Sequence, residues 1–240
     1  MNDILIFILS LVGAFVLRVC GFGFGVFTMA WLPYLLPSYG EATTLSGILA
    51  MVGSVFVTCK NWRKINWHKL TPILITFIVS SCASIYFVSV ADDHLLKRIL
   101  GVMLIVASLW FLVISKHVKV RPTIPVQITM GTISGVMGGL FAMHGPAAVL
   151  YFLACSKDKD EYVVLTMTYL LLGNIMMLGF RIHNGFLTAA VGHAFLYGIV
   201  AVALGTWVGS KVFHHLSTDI VKKVSYAYIA ISGALSLFMS

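Results

Sequence analysis

The sequence predicts an all-α polytopic membrane protein built from two duplicated halves, and three observations carry that prediction. Sixty per cent of the 240 residues are hydrophobic and only 10% are charged, with a mean hydropathy of +0.99. A soluble domain needs roughly a quarter of its residues charged to cover its surface, so lipid is the solvent here. Apolar runs of about 20 residues, the length of a membrane helix, recur with only short loops between them. Two longer apolar stretches are each interrupted by a cluster of glycines.

The clear spans fall at about 42–59, 70–90, 95–115, 161–180, 186–209 and 219–239. Residues 4–36 form an apolar stretch too long for one span, broken at Gly21, Gly23 and Gly25. Residues 124–155 behave alike, broken at Gly135, Gly138, Gly139, Gly145 and Pro146. Both stretches read as broken helices, with 22–36 and 147–156 as partial spans. The start of the chain has no basic n-region or A-x-A site, so it reads as a retained first span and not as a signal peptide.

These features repeat. Gly13 and Gly21 precede Gly131 and Gly139 by 118 residues, and Arg63 and Asn66 precede Arg181 and Asn184 by the same interval. The pattern is an internal duplication, giving a first repeat over 1–120 and a second over 121–240 within one membrane domain. Each repeat is a broken segment followed by three spans, about 8–10 segments in all. If each broken segment crosses twice, the halves are inverted. Lys60, Arg63, Lys64, Lys69, Lys116, Lys119, Arg121, Lys157, Lys159, Lys211, Lys222 and Lys223 then share the cytoplasmic side, against Lys97, Arg98 and Arg181 outside. If each crosses once, the basic residues divide almost evenly, so the inverted arrangement satisfies the positive-inside rule better. The same rule accounts for the net charge of +8 without nucleic acid, and no basic stretch interleaved with aromatics is present.

Non-helical backbone survives at membrane depth only when it is buried in protein or lines a wet cavity. Paired breaks at matching places in two repeats therefore point to a transport site, where half-helix N-termini offer amide groups to an anion. The first break reads GFGFGVFTMAWLPYLL from Gly21, and the second reads GVMGGLFAMHGPAAVLYFL from Gly135. They resemble the paired glycine-rich signatures of the sulfite exporter TauE/SafE family, small permeases for sulfite, organosulfonates and related anions. The resemblance extends over essentially the whole chain. It departs where the family usually has glycine and this chain has Ala142 and His144, and where a second proline often stands and this chain has Ala147.

The candidate substrate-binding residues are Arg18, Gly21, Phe22, Gly23, Phe24 and Gly25 in the first break, with Gly138, Gly139, His144, Gly145 and Pro146 in the second. Thr43, Thr44 and Ser46 open the span after the first break, and Thr166 and Asn174 occupy the comparable span after the second. Arg18 is an ionisable group inside an apolar run, which faces a partner, a cavity or the membrane interface. His144, with an ordinary pKa of about 6.5, suits an anion contact or a coupled proton, or equally a hydrogen-bonded packing role. The hydroxyls and amide suit sulfonate-type oxygens, or helix capping and interhelical bonds.

The resemblance implies a secondary transporter for a small sulfur-containing anion in a bacterial cytoplasmic membrane, with the bilayer, a small anion and a coupled proton as partners. A homodimer is compatible with it. A passive anion channel, or a permease for another carboxylate or oxyanion, is the alternative. No HExxH or other catalytic motif and no P-loop is present, so neither an enzyme nor an ATP motor is expected. Cys20, Cys59, Cys82 and Cys155 have no metal-ligand or disulfide spacing, His214-His215 reads as a solvated loop pair, and no metal or cofactor is implied.

Overall fold

The computed structural model describes residues 3–109, 123–217 and 220. Regular structure among them is entirely helical: α1 (Asp3–Cys20), α2 (Phe24–Met29), α3 (Leu32–Leu35), α4 (Tyr39–Lys60), α5 (Trp67–Val90), α6 (Asp93–Leu109), α7 (Ile124–Phe141), α8 (Gly145–Cys155), α9 (Lys159–His183) and α10 (Ala189–His215). Six of these, α1, α4, α5, α7, α9 and α10, are long and apolar enough to cross a membrane. The protein is an integral, multi-pass membrane protein. The expected spans at 42–59, 70–90 and 161–180 lie inside α4, α5 and α9, 186–209 starts three residues before α10, and 95–115 begins as α6. The expected last span at 219–239, apart from Ile220, the basic stretch 116–121 and Lys222-Lys223 lie outside the described residues. His214 and His215 are the last turn of α10 and not a loop; the His215 ring lies against the Lys211 carbonyl at 2.7 Å.

Both glycine-rich stretches are broken. α1 stops at Cys20 and the chain restarts as α2 at Phe24; α7 stops at Phe141 and the chain restarts as α8 at Gly145. With eleven residues, α8 is about 16 Å long, half a bilayer crossing.

Long pairings organise the bundle: α1 lies along α10, α5 along α7, and α4 along α9. The first two are seams of small residues. A Cβ on Gly135 would stand 1.9 Å from Ser80 Oγ and 2.5 Å from the Phe77 carbonyl oxygen, and one on Gly205 would stand 2.3 Å from the Leu11 carbonyl oxygen. In lipid, which gives apolar side chains no reason to associate, such backbone approach is a main source of helix affinity. Gly139 belongs to the same seam, against Ser81 and Ser84 of α5.

α4 and α9 are buried over two thirds of their apolar length and form the centre, whereas α5 and α10 turn Ile75, Val79, Tyr86, Leu196 and Trp207 outward to lipid. Polar contacts mark the two ends. At one, Lys69 Nζ lies 2.6 Å from Glu161 Oε1 and donates to the Cys155 carbonyl at 2.7 Å, and Lys159 Nζ donates to the Phe213 carbonyl at 3.3 Å. At the other, the Tyr39 amide donates to Asp93 Oδ2 at 3.0 Å and Asp3 stands 3.8 Å from His193.

Candidate functional site

The two breaks touch. A Cβ on Gly25 would lie 2.2 Å from the Ala142 carbonyl oxygen, and one on Gly145 would lie 2.9 Å from Phe22 Cβ. Each broken segment therefore packs through a glycine onto the break of the other half, Gly25 onto the Ala142 backbone and Gly145 onto the Phe22 side chain. The turns themselves need left-handed conformations: Gly21 has φ 84°, Gly23 has φ 103°, and Ala142 holds φ 55° despite its Cβ.

Each break is also held by a tyrosine from the opposite half. The Tyr39 hydroxyl, from α4, donates to the Leu140 carbonyl near the end of α7 at 3.0 Å. The Tyr162 hydroxyl, from α9, donates to the Cys20 carbonyl at the end of α1 at 2.5 Å. The C-terminal carbonyls of a helix have no intrahelical donor, so these bonds satisfy acceptors that would be costly to leave unpaired in a membrane.

Between the breaks is a small cavity of about 20 Å³, room for one or two waters. It is lined by Leu17, Gly23, Phe24, Gly25, Val26, Ala50, Ala142, Met143, His144, Gly145, Pro146 and Leu170. Ala50 and Leu170 are near the middles of α4 and α9, so the cavity sits at mid-depth of the bundle. His144 precedes the first turn of α8, whose leading amides have no intrahelical acceptor and carry the positive end of the helix dipole.

His144 is 2% exposed; neither ring nitrogen makes a close hydrogen bond, and a backbone group of Leu170 lies near the ring. Its ring centre is 5.3 Å from that of Phe77 and 5.9 Å from that of Tyr169. Its carbonyl accepts from Ser134, whose Oγ in turn accepts from the Tyr169 hydroxyl at 2.6 Å. Gly138 makes room for the residue, since a Cβ there would stand 2.7 Å from His144 Cβ.

The expected site residues thus divide. Gly23, Phe24, Gly25, His144, Gly145 and Pro146 line the cavity; Gly21, Phe22 and Gly138 shape the turns beside it. Arg18 does not reach it: its Nε donates to Ser210 Oγ at 2.8 Å and its guanidinium stacks 4.5 Å from the Phe213 ring centre, both on the α10 side. The Thr43 and Thr44 hydroxyls donate to the Gly40 carbonyl, Thr166 to Tyr162, and the Asn174 amide to Leu170, all within their own helices. Ser46 shares a 3.0 Å bond with Thr28 of α2. Leu17, Val26, Ala50, Ala142, Met143 and Leu170 complete the lining; apart from Ala142, which stands at a glycine position of the resembled signature, nothing distinguishes them by sequence from ordinary core.

Arg181 served in the sequence only as a marker of the duplication and of topology. It is 2% exposed, and it donates to the Thr43 carbonyl at 2.9 Å and the Gly138 carbonyl at 3.2 Å. The available signal was an ionisable residue at the edge of an apolar span. Among the described residues no group of three or more His, Cys, Asp or Glu side chains could hold a metal ion.

A family model described as "Sulfite exporter TauE/SafE" matches residues 5–236. A relative from Methanocaldococcus jannaschii described as a probable membrane transporter protein is 25% identical over 194 residues, spanning 74% of this chain and 69% of the relative. No solved structure matches the chain.

Proposed function

The chain belongs to the sulfite exporter TauE/SafE family, and on that premise we propose that it is a secondary transporter for a small sulfur-containing anion, sulfite or an organosulfonate, with its site between the two breaks. The observation that carries this reading is the meeting of the breaks around His144. An apolar pocket at mid-depth, with unpaired imidazole nitrogens beside the N-terminus of α8, offers hydrogen-bond donors and a positive dipole end to an anion. The donors add no fixed negative charge. No ATP-binding P-loop is present in the sequence, so membrane potential or a proton gradient is the energy source in this reading.

The inverted repeat belongs to the same proposal. Its support is the reciprocal packing, since exchanging α1 with α7 and α5 with α10 maps the α1–α10 seam onto the α7–α5 seam and leaves the α4–α9 pairing in place. The cytoplasmic side is then the end carrying Lys60 to Lys69, Lys157 and Lys159, as the positive-inside rule asks.

The test is a flux panel on purified protein in proteoliposomes, with sulfite, thiosulfate, sulfoacetate, taurine and sulfate under an imposed potential or pH gradient. Concentrative accumulation of a sulfur oxyanion or sulfonate supports the proposal. Transport of none of the panel overturns the substrate class, and flux that only dissipates gradients makes the protein a channel.

A further inference from the structure

We propose that Arg181 is the counter-charge of the transported anion, holding it one helical turn from the cavity between the breaks. The inference rests on the transport reading above and adds a second binding position to it.

The placement follows from helix register. Ala50 of α4 and Leu170 of α9 line the cavity. Gly47 and Asn174 lie about one turn farther along the same two helices, in the direction of Tyr39 and of the C-terminal end of α9, a step of about 4.5–6 Å. Arg181 fills that layer: a Cβ on Gly47 would be 2.7 Å from Arg181 Nη1 and 3.2 Å from Asn174 Oδ1. On the other side, the Gly138 carbonyl that accepts from Arg181 Nη2 belongs to the residue against which His144 is packed. The guanidinium is therefore separated from the cavity by one glycine.

Charge makes the placement informative. Among the described residues Lys69 and Glu161 form an ion pair and His193 stands 3.8 Å from Asp3, and neither contact involves Arg181. A cation buried at membrane depth and met only by neutral carbonyls is expensive, and a neutral amide donor could cross-link Thr43, Gly138 and α9 equally well. A mobile anion would supply the opposite charge that no described residue gives Arg181.

One further group stands ready beside it. Both His144 ring nitrogens are buried without partners, whereas Asn174 Oδ1, also buried and unpartnered, is an acceptor suited to the guanidinium and not to the anion. An anion that draws the guanidinium off the Thr43 and Gly138 carbonyls would accept from its planar fork in the bidentate manner that suits oxyanions. A protonated ring nitrogen of His144 can donate to the same anion from the cavity side. The ligand class is a compact oxyanion such as sulfite or a sulfonate headgroup.

The experiment uses the full chain as wild type, Arg181→Lys and Arg181→Gln, each checked for a monodisperse folded peak. Thermal stabilisation is measured with sodium sulfite, sulfate and chloride at constant ionic strength, and sulfite flux is measured in proteoliposomes. Stabilisation of wild type by sulfite that is lost in Arg181→Gln and partly kept in Arg181→Lys is the expected result. The sulfite KM should rise about tenfold or more in Arg181→Gln, the loss of a charge-assisted bond. Equal stabilisation of wild type and Arg181→Gln, or no anion stabilisation of wild type, overturns the proposal. If Arg181→Gln does not fold, Arg181→Lys decides: a sulfite KM within twofold of wild type overturns the proposal, and a larger rise at comparable thermal stability supports it. Failure of the transport reading is separate, appearing as absent flux in wild type whether or not anions stabilise it.

Discussion

The Tyr162 hydroxyl donates to the Cys20 carbonyl at 2.5 Å, so a residue in the first turns of α9 closes the end of α1 in the other half of the chain. Its counterpart, Tyr39 to the Leu140 carbonyl, closes α7 from α4 at 3.0 Å. The two bonds flank the cavity from opposite ends of the bundle. Opening either side of the cavity by moving a broken helix would require its tyrosine bond to part.

Tyr162→Phe removes one of these bonds while leaving the ring. The expected cost is about 1–2 kcal/mol, the worth of a buried hydrogen bond whose acceptor stays behind. The thermal midpoint should fall by a few degrees, and Tyr39→Phe should behave alike. A midpoint unchanged in both variants would show that the helix ends are satisfied without the tyrosines.

Gly25→Ala should abolish transport, because its Cβ would fall 2.2 Å from the Ala142 carbonyl oxygen, backbone that cannot turn aside. Gly192→Ala is the matched control on α10, where nothing lies within 4 Å of the added methyl. Flux per folded molecule decides the matter. Wild-type flux in Gly25→Ala would mean that the breaks do not need to meet.

Ala142→Gly should stabilise the protein by about 0.5–1 kcal/mol, since a left-handed alanine costs more than the extra chain entropy of glycine. Ala142 has φ 55°, and the family signature that this stretch resembles usually has glycine there. A lower midpoint would show that the methyl group's packing outweighs the strain.

The spans and breaks were legible because bilayer thickness sets helix length and because glycine clusters interrupt otherwise uniform apolar runs. The assignment of polar residues within the spans was not. Thr43, Thr44 and Thr166 look like ligand donors in the sequence, yet each gives its proton to a carbonyl one turn back, a local bond always within reach of a helical hydroxyl. Arg18 and Arg181 are equally anomalous as charges near membrane depth. Only the packing of α10 against α1, and of α4 and α7 against α9, separates the one turned to a serine and a phenylalanine ring from the one buried beside the cavity.

The sidedness of the bundle can be read with one introduced thiol. Arg63→Cys, in a variant lacking Cys20, Cys59, Cys82 and Cys155, lies in the short 3-10 turn between α4 and α5. A membrane-impermeant maleimide should label it only after cells are permeabilised. Labelling from outside intact cells would reverse the topology.

The last prediction concerns His144, whose ring is packed between Phe77 and Tyr169 while both nitrogens remain unpartnered in the cavity wall. A neutral imidazole carries one donor and one acceptor, and burying them unpaired costs about 1–3 kcal/mol. If the residue only packs, an apolar side chain of similar size should relieve that cost and change nothing else. If its N–H meets the anion, the same substitution should stabilise the empty protein and weaken binding at once. His144→Leu is therefore expected to raise the thermal midpoint and to raise the sulfonate KM by about tenfold or more, the loss of a hydrogen bond to a charged group. His144→Gln, which keeps a donor and an acceptor on a shorter reach, should fall between Leu and wild type in KM. The opposite signs of the two readouts are the point of the measurement, because a structural defect lowers stability and affinity together. A sulfonate KM in His144→Leu equal to that of wild type would make His144 a packing residue and leave the anion to the α8 amides and Arg181.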